Sequence, residues 1–138
     1  MIRLKRLPEN IHQRFEFLID VLANDSNVIF AYLFGGLLRD KKNPLSDVDI
    51  AVSVKSVKDL DYLELFGKVT KALGTDEVDL VILNAAPISI TGRVLQDRRV
   101  LVDKNPFMRH RYESITLREY FDFRIKEREI LRRRYGLG

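Results

Sequence analysis

The chain has 138 residues, of which 46% are hydrophobic, and no cysteine, so we expect one soluble globular domain and exclude disulfide frameworks, thiolate zinc sites and cysteine nucleophiles. Its formal net charge is +4, yet residues 1–103 carry 14 basic and 15 acidic side chains, whereas residues 104–138 carry 10 basic and 5 acidic ones. The basic excess therefore belongs to the C-terminal segment, and the total charge does not by itself indicate a nucleic-acid-binding domain.

The first part of the chain predicts one helix and two strands. Apolar residues at helical spacing follow Pro8 and predict an amphipathic helix that ends near Asn24. Residues 28–34 are almost entirely apolar and end at Gly35, as expected of a strand that is buried on both faces. Residues 47–54 alternate between branched apolar residues and small or acidic ones, which predicts a strand with the branched residues on one side and the small or acidic ones on the other.

The middle of the chain continues the alternation of helices and strands. A second amphipathic helix is predicted to end at Gly74, and residues 77–83 predict a third strand. Residues 87–96 predict a short helix, and residues 99–102 a short strand. These elements indicate an α/β (α+β) protein in which helices flank a small mixed sheet.

The C-terminal segment is predicted to be one long helix. Asn105 and Pro106 are suited to begin it, and no glycine or proline follows before Gly136. Its apolar residues occupy more of the circumference than one small sheet can cover, which indicates a partner surface; the alternative is a helix that covers the core and turns a charged face to water. We divide the chain into a core, residues 1–104, and this helix, residues 105–138, which packs on the core, on a partner or on both.

No apolar run reaches the roughly 18 residues that a membrane span needs, and the N terminus lacks the apolar core of a signal peptide. We therefore expect a cytoplasmic protein that does not bind membranes. Glycine-rich dinucleotide and P-loop motifs are also absent from the sequence.

Acidic residues in two predicted strands indicate a metal site. Asp47 and Asp49 are two positions apart in one strand, so their side chains leave it on the same face. They repel each other unless a cation lies between them, and hard oxygen ligands suit Mg²⁺ or Mn²⁺. Asp79 in the next strand is a third acid that can face the same cleft, with Asp76 and Glu77 as alternatives. The alternative is that the two aspartates belong to an ordinary strand face that is exposed to water.

A double glycine after the preceding strand is suited to bind phosphate. Gly35 and Gly36 allow the backbone to approach a ligand closely and present free amide groups. Arg39, one helical turn further, is placed to bind a phosphate or a carboxylate. Carboxylates for a metal and a turn for phosphate together predict transfer of a nucleotidyl group from a metal-bound nucleoside triphosphate.

The order of these residues resembles the minimal nucleotidyltransferases of the DNA polymerase β superfamily. Gly35 and Gly36 are followed, after ten residues that end in Ser46, by Asp47 and Asp49. The resemblance implies a polymerase β-like fold, a divalent metal ion (Mg²⁺ or Mn²⁺) and ATP as the substrate. The site residues that it implies are Asp47, Asp49 and Asp79 for catalysis and metal binding, and Gly35, Gly36, Arg39 and Ser46 for nucleotide binding.

Minimal nucleotidyltransferases are often paired with a helical HEPN-domain toxin. The resemblance therefore implies a protein adenylyltransferase that moves AMP from ATP to a hydroxyl group, a tyrosine of a HEPN toxin, and so acts as the antitoxin of a type VII-like pair. The sequence is also compatible with a homo-oligomer.

One departure from the family pattern supports an alternative. Gly36 stands where the family usually has serine, and a hydrogen bond to a charged group contributes roughly 1.5–3 kcal/mol. Without this hydrogen bond, we expect weaker binding of the triphosphate. The alternative function is therefore that of a catalytically weak or inactive antitoxin, which neutralises its partner by binding alone. Direct nucleic-acid binding through the arginines at 132–134 is a third, less favoured interpretation.

Overall fold

The computed structural model of the protein describes residues 10–35 and 47–136. The predicted helices and strands of these ranges are all present, close to their predicted bounds. They are α1 (Ile11–Asn24), β1 (Val28–Phe34), β2 (Val48–Val54), α2 (Tyr62–Leu73), β3 (Val78–Ile82), α3 (Ile88–Gln96), β4 (Arg98–Asp103) and α4 (Pro106–Tyr135).

The described strands form one mixed sheet in the order β3-β2-β1-β4. β1 is antiparallel to both β2 and β4, whereas β2 and β3 are parallel and are joined through α2. A parallel pair needs such a crossover connection, because the chain must return to the same end of the sheet. The predicted α/β class with a small mixed sheet is therefore confirmed.

Helices cover both faces of the sheet. The alternation in β2 places its branched residues, such as Val48 and Ile50, in a core beneath α1 and α2, while Ala51 belongs to a second core beneath α3 and the first part of α4. β1 contributes to both cores, as its continuous apolar run predicts. A register shift between Val28 and Phe30 adds a bulge to this buried strand.

Local signals set the ends of the helices. The Asp61 carboxylate accepts a hydrogen bond from the Glu64 amide at 3.1 Å and so caps α2, which ends at Gly74 in the left-handed region with a φ of 71°. The Asn105 side chain accepts from the Met108 amide at 3.1 Å at the start of α4.

Among the described residues, the first half of α4 is the part of this helix that packs against the sheet and α3. The helix has 30 residues, and its buried members are Glu113, Thr116 and Tyr120. Every residue from Arg124 to Gly136 is exposed. None of the helices within residues 10–35 and 47–136 combines the length and the apolar character that crossing a membrane requires.

Candidate active site

A cleft of about 560 Å³ opens between α3 and the ends of three strands. The described residues that line it are Phe34, Gly35, Asp49, Asp79, Val81, Ala86, Ile90, Arg93, Gln96 and Asp97. A cleft of similar volume, about 570 Å³, lies at the opposite end of β1 and β2, but none of the predicted site residues that the structure describes lines it. The first cleft is therefore the candidate active site.

Asp49 and Asp79 lie side by side in this cleft. They are direct partners in the register of the parallel strands β2 and β3, and neighbouring strands are about 4.8 Å apart. Paired residues of adjacent strands project from the same face, so both carboxylates line the cleft. Two like charges in this arrangement favour a cation between them.

Gly35 lies against Asp49 at the end of β1. Its φ is +80°, a backbone conformation that side-chain-bearing residues rarely adopt. A Cβ added at this position would overlap the Oδ2 atom of Asp49. The first residue of the predicted phosphate turn therefore touches one of the predicted metal ligands.

The other predicted site residues divide into two groups. Asp47 stands directly before β2 and is half-buried, and it is not among the described residues that line the cleft. Asp76 and Glu77 stand before β3 and do not line it either, which leaves Asp79 as the acid of that segment in the cleft. The predicted nucleotide-binding residues Gly36, Arg39 and Ser46 lie outside the described residues.

The donor set of the cleft fits a hard divalent cation. Within residues 10–35 and 47–136, no three histidine, cysteine, aspartate or glutamate side chains are arranged to hold a metal ion. Mg²⁺ is usually held by only one or two protein carboxylates, because substrate phosphates and water supply its other ligands. The adjacent carboxylates of Asp49 and Asp79 meet that requirement.

Sequence reasoning missed the contribution of α3 to the cleft. Arg93 lies on the cleft wall, its side chain is exposed, and it makes no hydrogen bond or ion pair with the described residues. Arg93 follows the cleft-lining Ile90 by three positions, so the two share one helical face. In the sequence, the only signal for Arg93 is this three-residue spacing from Ile90 within a predicted helix. A cation thus stands in the same cleft as the two carboxylates.

The hydroxyl group of Tyr62 lies close enough to Asp79 for the negative charge of Asp79 to affect its pKa. The Tyr62 hydroxyl donates a hydrogen bond to the Leu80 carbonyl at 2.9 Å. Burial, and then the negative charge of Asp79, raise the pKa of Tyr62 above its ordinary value. The Tyr62 hydroxyl is therefore neutral at physiological pH.

A largely buried network joins β1 and β4 to α4. The Oε2 atom of Glu113 accepts hydrogen bonds from the Tyr32 hydroxyl at 2.7 Å, Arg109 at 3.0 Å and Arg98 at 3.1 Å. Burial alone would raise the pKa of Glu113, but the hydrogen bonds from these three residues lower it overall. Glu113 therefore stays ionised and ties the long helix to the sheet.

Comparison with family models matches residues 16–107 to the family described as polymerase beta, nucleotidyltransferase. None of the curated protein sequences matches the chain significantly. The match runs from within α1 to the beginning of α4, and it includes every described residue that lines the candidate active site.

Several solved structures are similar to the whole fold. A toxin–antitoxin crystallised with AMP-PNP has a TM-score of 0.71 and 26% identity, over 85% of this chain and 94% of that chain. A complex of MntA and HepT has a TM-score of 0.67 and 26% identity, over 87% and 95% of the two chains. The Shewanella oneidensis complex of a tri-AMPylated HEPN toxin with its MNT antitoxin has a TM-score of 0.67 and 25% identity, over 87% and 94%. The fold that the resemblance implied is confirmed.

Proposed function

The chain belongs to the polymerase β nucleotidyltransferase family, and on this premise we propose that it is an antitoxin that transfers AMP from ATP to a tyrosine hydroxyl of a HEPN-domain toxin. One observation carries the proposal: Asp49 and Asp79 are paired in register beside Gly35, in a cleft of about 560 Å³. Two adjacent carboxylates are suited to bind a metal ion, and the glycine beside them lets the backbone approach the phosphates of a metal-bound triphosphate.

Each acid has a role in this proposal. Asp47 and Asp49 would hold Mg²⁺ or Mn²⁺, with Asp79 as the third acid. When bound, the metal ion neutralises phosphate charge and favours ionisation of the attacking hydroxyl. Asp79 accepts the proton of the acceptor hydroxyl, because it lies in the cleft and is exposed to the incoming group.

The transfer exchanges one phosphorus–oxygen bond for another. The acceptor oxygen attacks the α-phosphorus of ATP and forms the new bond, while the bond from that phosphorus to the β-phosphate oxygen breaks and pyrophosphate leaves. Asp79 holds the proton released by the acceptor. The products are AMP-tyrosine and pyrophosphate.

In this proposal two groups of residues bind the nucleotide. Backbone amides of the turn at Gly35 and Gly36 bind phosphate oxygens, and Arg39 and Ser46 assist them. Arg93 approaches from α3, where its exposed guanidinium has no partner among the described residues. A guanidinium presents a planar array of donors that matches phosphate oxygens.

The solved structures support the choice of partner and substrate. Complexes of an MNT antitoxin with a HEPN toxin, one of them tri-AMPylated, are similar to this chain along most of its length. Another similar structure contains AMP-PNP. The exposed second half of α4 offers additional surface for a partner.

Labelling tests the proposal directly. The protein is incubated with its HEPN partner, labelled ATP and Mg²⁺, and the label on the partner is measured for wild type and for the double variant Asp47→Asn with Asp49→Asn. We expect labelling by the wild type and none by the double variant. Asp76→Asn is the matched control, because it removes an exposed carboxylate that has no role in the proposed site, and it is expected to label normally. Equal labelling by wild type and double variant would refute the mechanism.

A second candidate function follows from Gly36, which removes the hydroxyl that the family usually provides. In this alternative the protein keeps the fold and neutralises its partner by binding alone. Calorimetry with ATP and Mg²⁺ separates the two functions. Micromolar binding that disappears in the double variant excludes binding-only neutralisation, whereas neutralisation of the toxin without nucleotide binding supports it.

A further inference from the structure

A shallow groove on α4 adjoins the candidate active site. Its volume is about 250 Å³, and it is lined by Gln96, Tyr120, Phe121, Arg124, Ile125 and Arg128. Gln96, the last residue of α3, lines the active-site cleft as well. The groove and the cleft therefore meet at this residue, and a chain lying in the groove has a direct path to the reacting groups.

The floor of the groove is held firmly in place. The Tyr120 ring packs on α3 at Gly92, where an added Cβ would overlap the ring. Arg124 donates a hydrogen bond to the Tyr120 hydroxyl at 3.2 Å, and its guanidinium lies 5.8 Å from the centre of the ring. Tyr120 itself is only 4% exposed. The groove is thus a formed surface.

The chemistry of the groove combines apolar surface with positive charge. Phe121 and Ile125 are each 59% exposed and lie one helical turn apart. Arg124 and Arg128 flank them, and no acidic residue is among the described residues that line the groove. An occupant that satisfies both features is a polypeptide with an apolar side chain and at least one carboxylate.

Other occupants fit less well. A second copy of the chain that docks through the same helix would bring like charge, because residues 121–135 carry 6 basic and 3 acidic side chains. A nucleic-acid strand would pair with the arginines and stack one base on Phe121, but the aliphatic Ile125 beside it offers no ring for the next base, whereas sites for single strands stack successive bases. The observations favour an acidic protein segment.

We infer that this groove binds the segment of the acceptor protein that carries the target hydroxyl, and that the segment is acidic and enters the cleft past Gln96. The inference rests on the proposed function, which requires a protein acceptor. Residues 121–128 span about 10 Å of helix, and an extended chain of roughly three to four residues covers that length. The acidic and apolar side chains that contact the groove therefore lie within about four residues of each other, next to the part of the segment that enters the cleft.

Steady-state kinetics test the groove. We expect the double variant Phe121→Ala with Ile125→Ala, and separately Arg128→Glu, to raise the KM for the partner about tenfold, as loss of an interface anchor does, with kcat and ATP affinity unchanged. The matched controls are Ile130→Ala and Arg132→Glu, which lie on the same exposed helix outside the groove. Thermal unfolding checks that all variants fold. A KM within about twofold of wild type for the groove variants would overturn the inference.

A crosslink that needs no catalysis separates this inference from the proposed function. A photoreactive phenylalanine analogue replaces Phe121, and the crosslinked partner peptide is mapped. A peptide next to the AMP-bearing tyrosine supports the inference, whereas a crosslink to a distant peptide, to nucleic acid or to a second copy overturns it. A crosslink to an acidic partner segment without any AMP transfer by the wild type refutes the proposed function and supports the groove as a binding site.

Discussion

The carboxylate of Asp49 lies against the α-carbon of Gly35, so closely that a Cβ on residue 35 would overlap Oδ2 of Asp49. The contact arises because β1 ends exactly beside the beginning of β2, where Phe34 and Asp49 are register partners. The proposed phosphate turn and the proposed metal ligand are therefore one structural unit, and a change in either one displaces the other.

Replacement of Gly35 tests this unit. Gly35→Ala places a side chain at a φ of +80° and against Asp49, and we expect it to lower the free energy of unfolding by about 1–3 kcal/mol and to abolish binding of ATP with Mg²⁺. Urea denaturation and calorimetry measure the two effects. Gly67→Ala is the control, because nothing lies within 4 Å of its added Cβ and alanine favours a helix by roughly 0.5–1 kcal/mol. Normal nucleotide binding by Gly35→Ala would contradict the proposed coupling.

The contact between α3 and α4 is tested at Gly92. An alanine there overlaps the Tyr120 ring, so we expect Gly92→Ala to destabilise the protein by about 1–3 kcal/mol in urea denaturation. In the background Tyr120→Ala the ring is absent and only the Cβ of residue 120, 2.7 Å from the added one, still overlaps it, so the same substitution is expected to cost less. Additive effects of the two substitutions would show that they do not share a contact.

Arg93 is the cation that the tertiary structure adds to the cleft. We expect Arg93→Ala to weaken ATP binding by roughly 1.5–3 kcal/mol, the range of a hydrogen bond to a charged group, while adenosine binding is unchanged. Isothermal calorimetry measures both ligands. Arg99→Ala, an exposed arginine of β4 outside the cleft, is the matched control. If both variants lose the same amount of ATP affinity, the effect comes from the net charge of the protein and not from a contact of Arg93 with the nucleotide.

The buried carboxylate of Glu113 makes stability depend on pH. The pKa of Glu113 is lowered in the folded state. Its contribution to the free energy of unfolding is therefore present above the pKa of the unfolded state, about 4.3, and is lost as the pH falls through the pKa of the folded state. We expect Glu113→Gln to cost about 2 kcal/mol at pH 7, because Arg98 and Arg109 lose their shared carboxylate, and clearly less at pH 3. Urea denaturation at both pH values gives the difference, and the exposed Glu119→Gln is the control. A cost that does not change with pH would contradict this role of Glu113.

Much of the fold was predictable because its signals are local. The start of α4 at Asn105 and the end of α2 at Gly74 depend on caps within one helical turn, and both predictions are confirmed. The strict alternation in β2 likewise identified the face that enters the core beneath α1 and α2. Family membership was predictable too, because the glycine turn and the two aspartates lie within one short stretch of sequence.

The sequence by itself determined the elements, their order, the fold class and the acids that are candidates for catalysis. Only the tertiary structure decided that Asp79, and neither Asp76 nor Glu77, lines the cleft beside Asp49, and that Arg93 lines the same cleft. The physical reason is that a local pattern depends on the geometry of a few consecutive residues. In contrast, side chains that are far apart in the chain pack together in the core, and this packing determines the register of β2 and β3 and the position of α3 beside them.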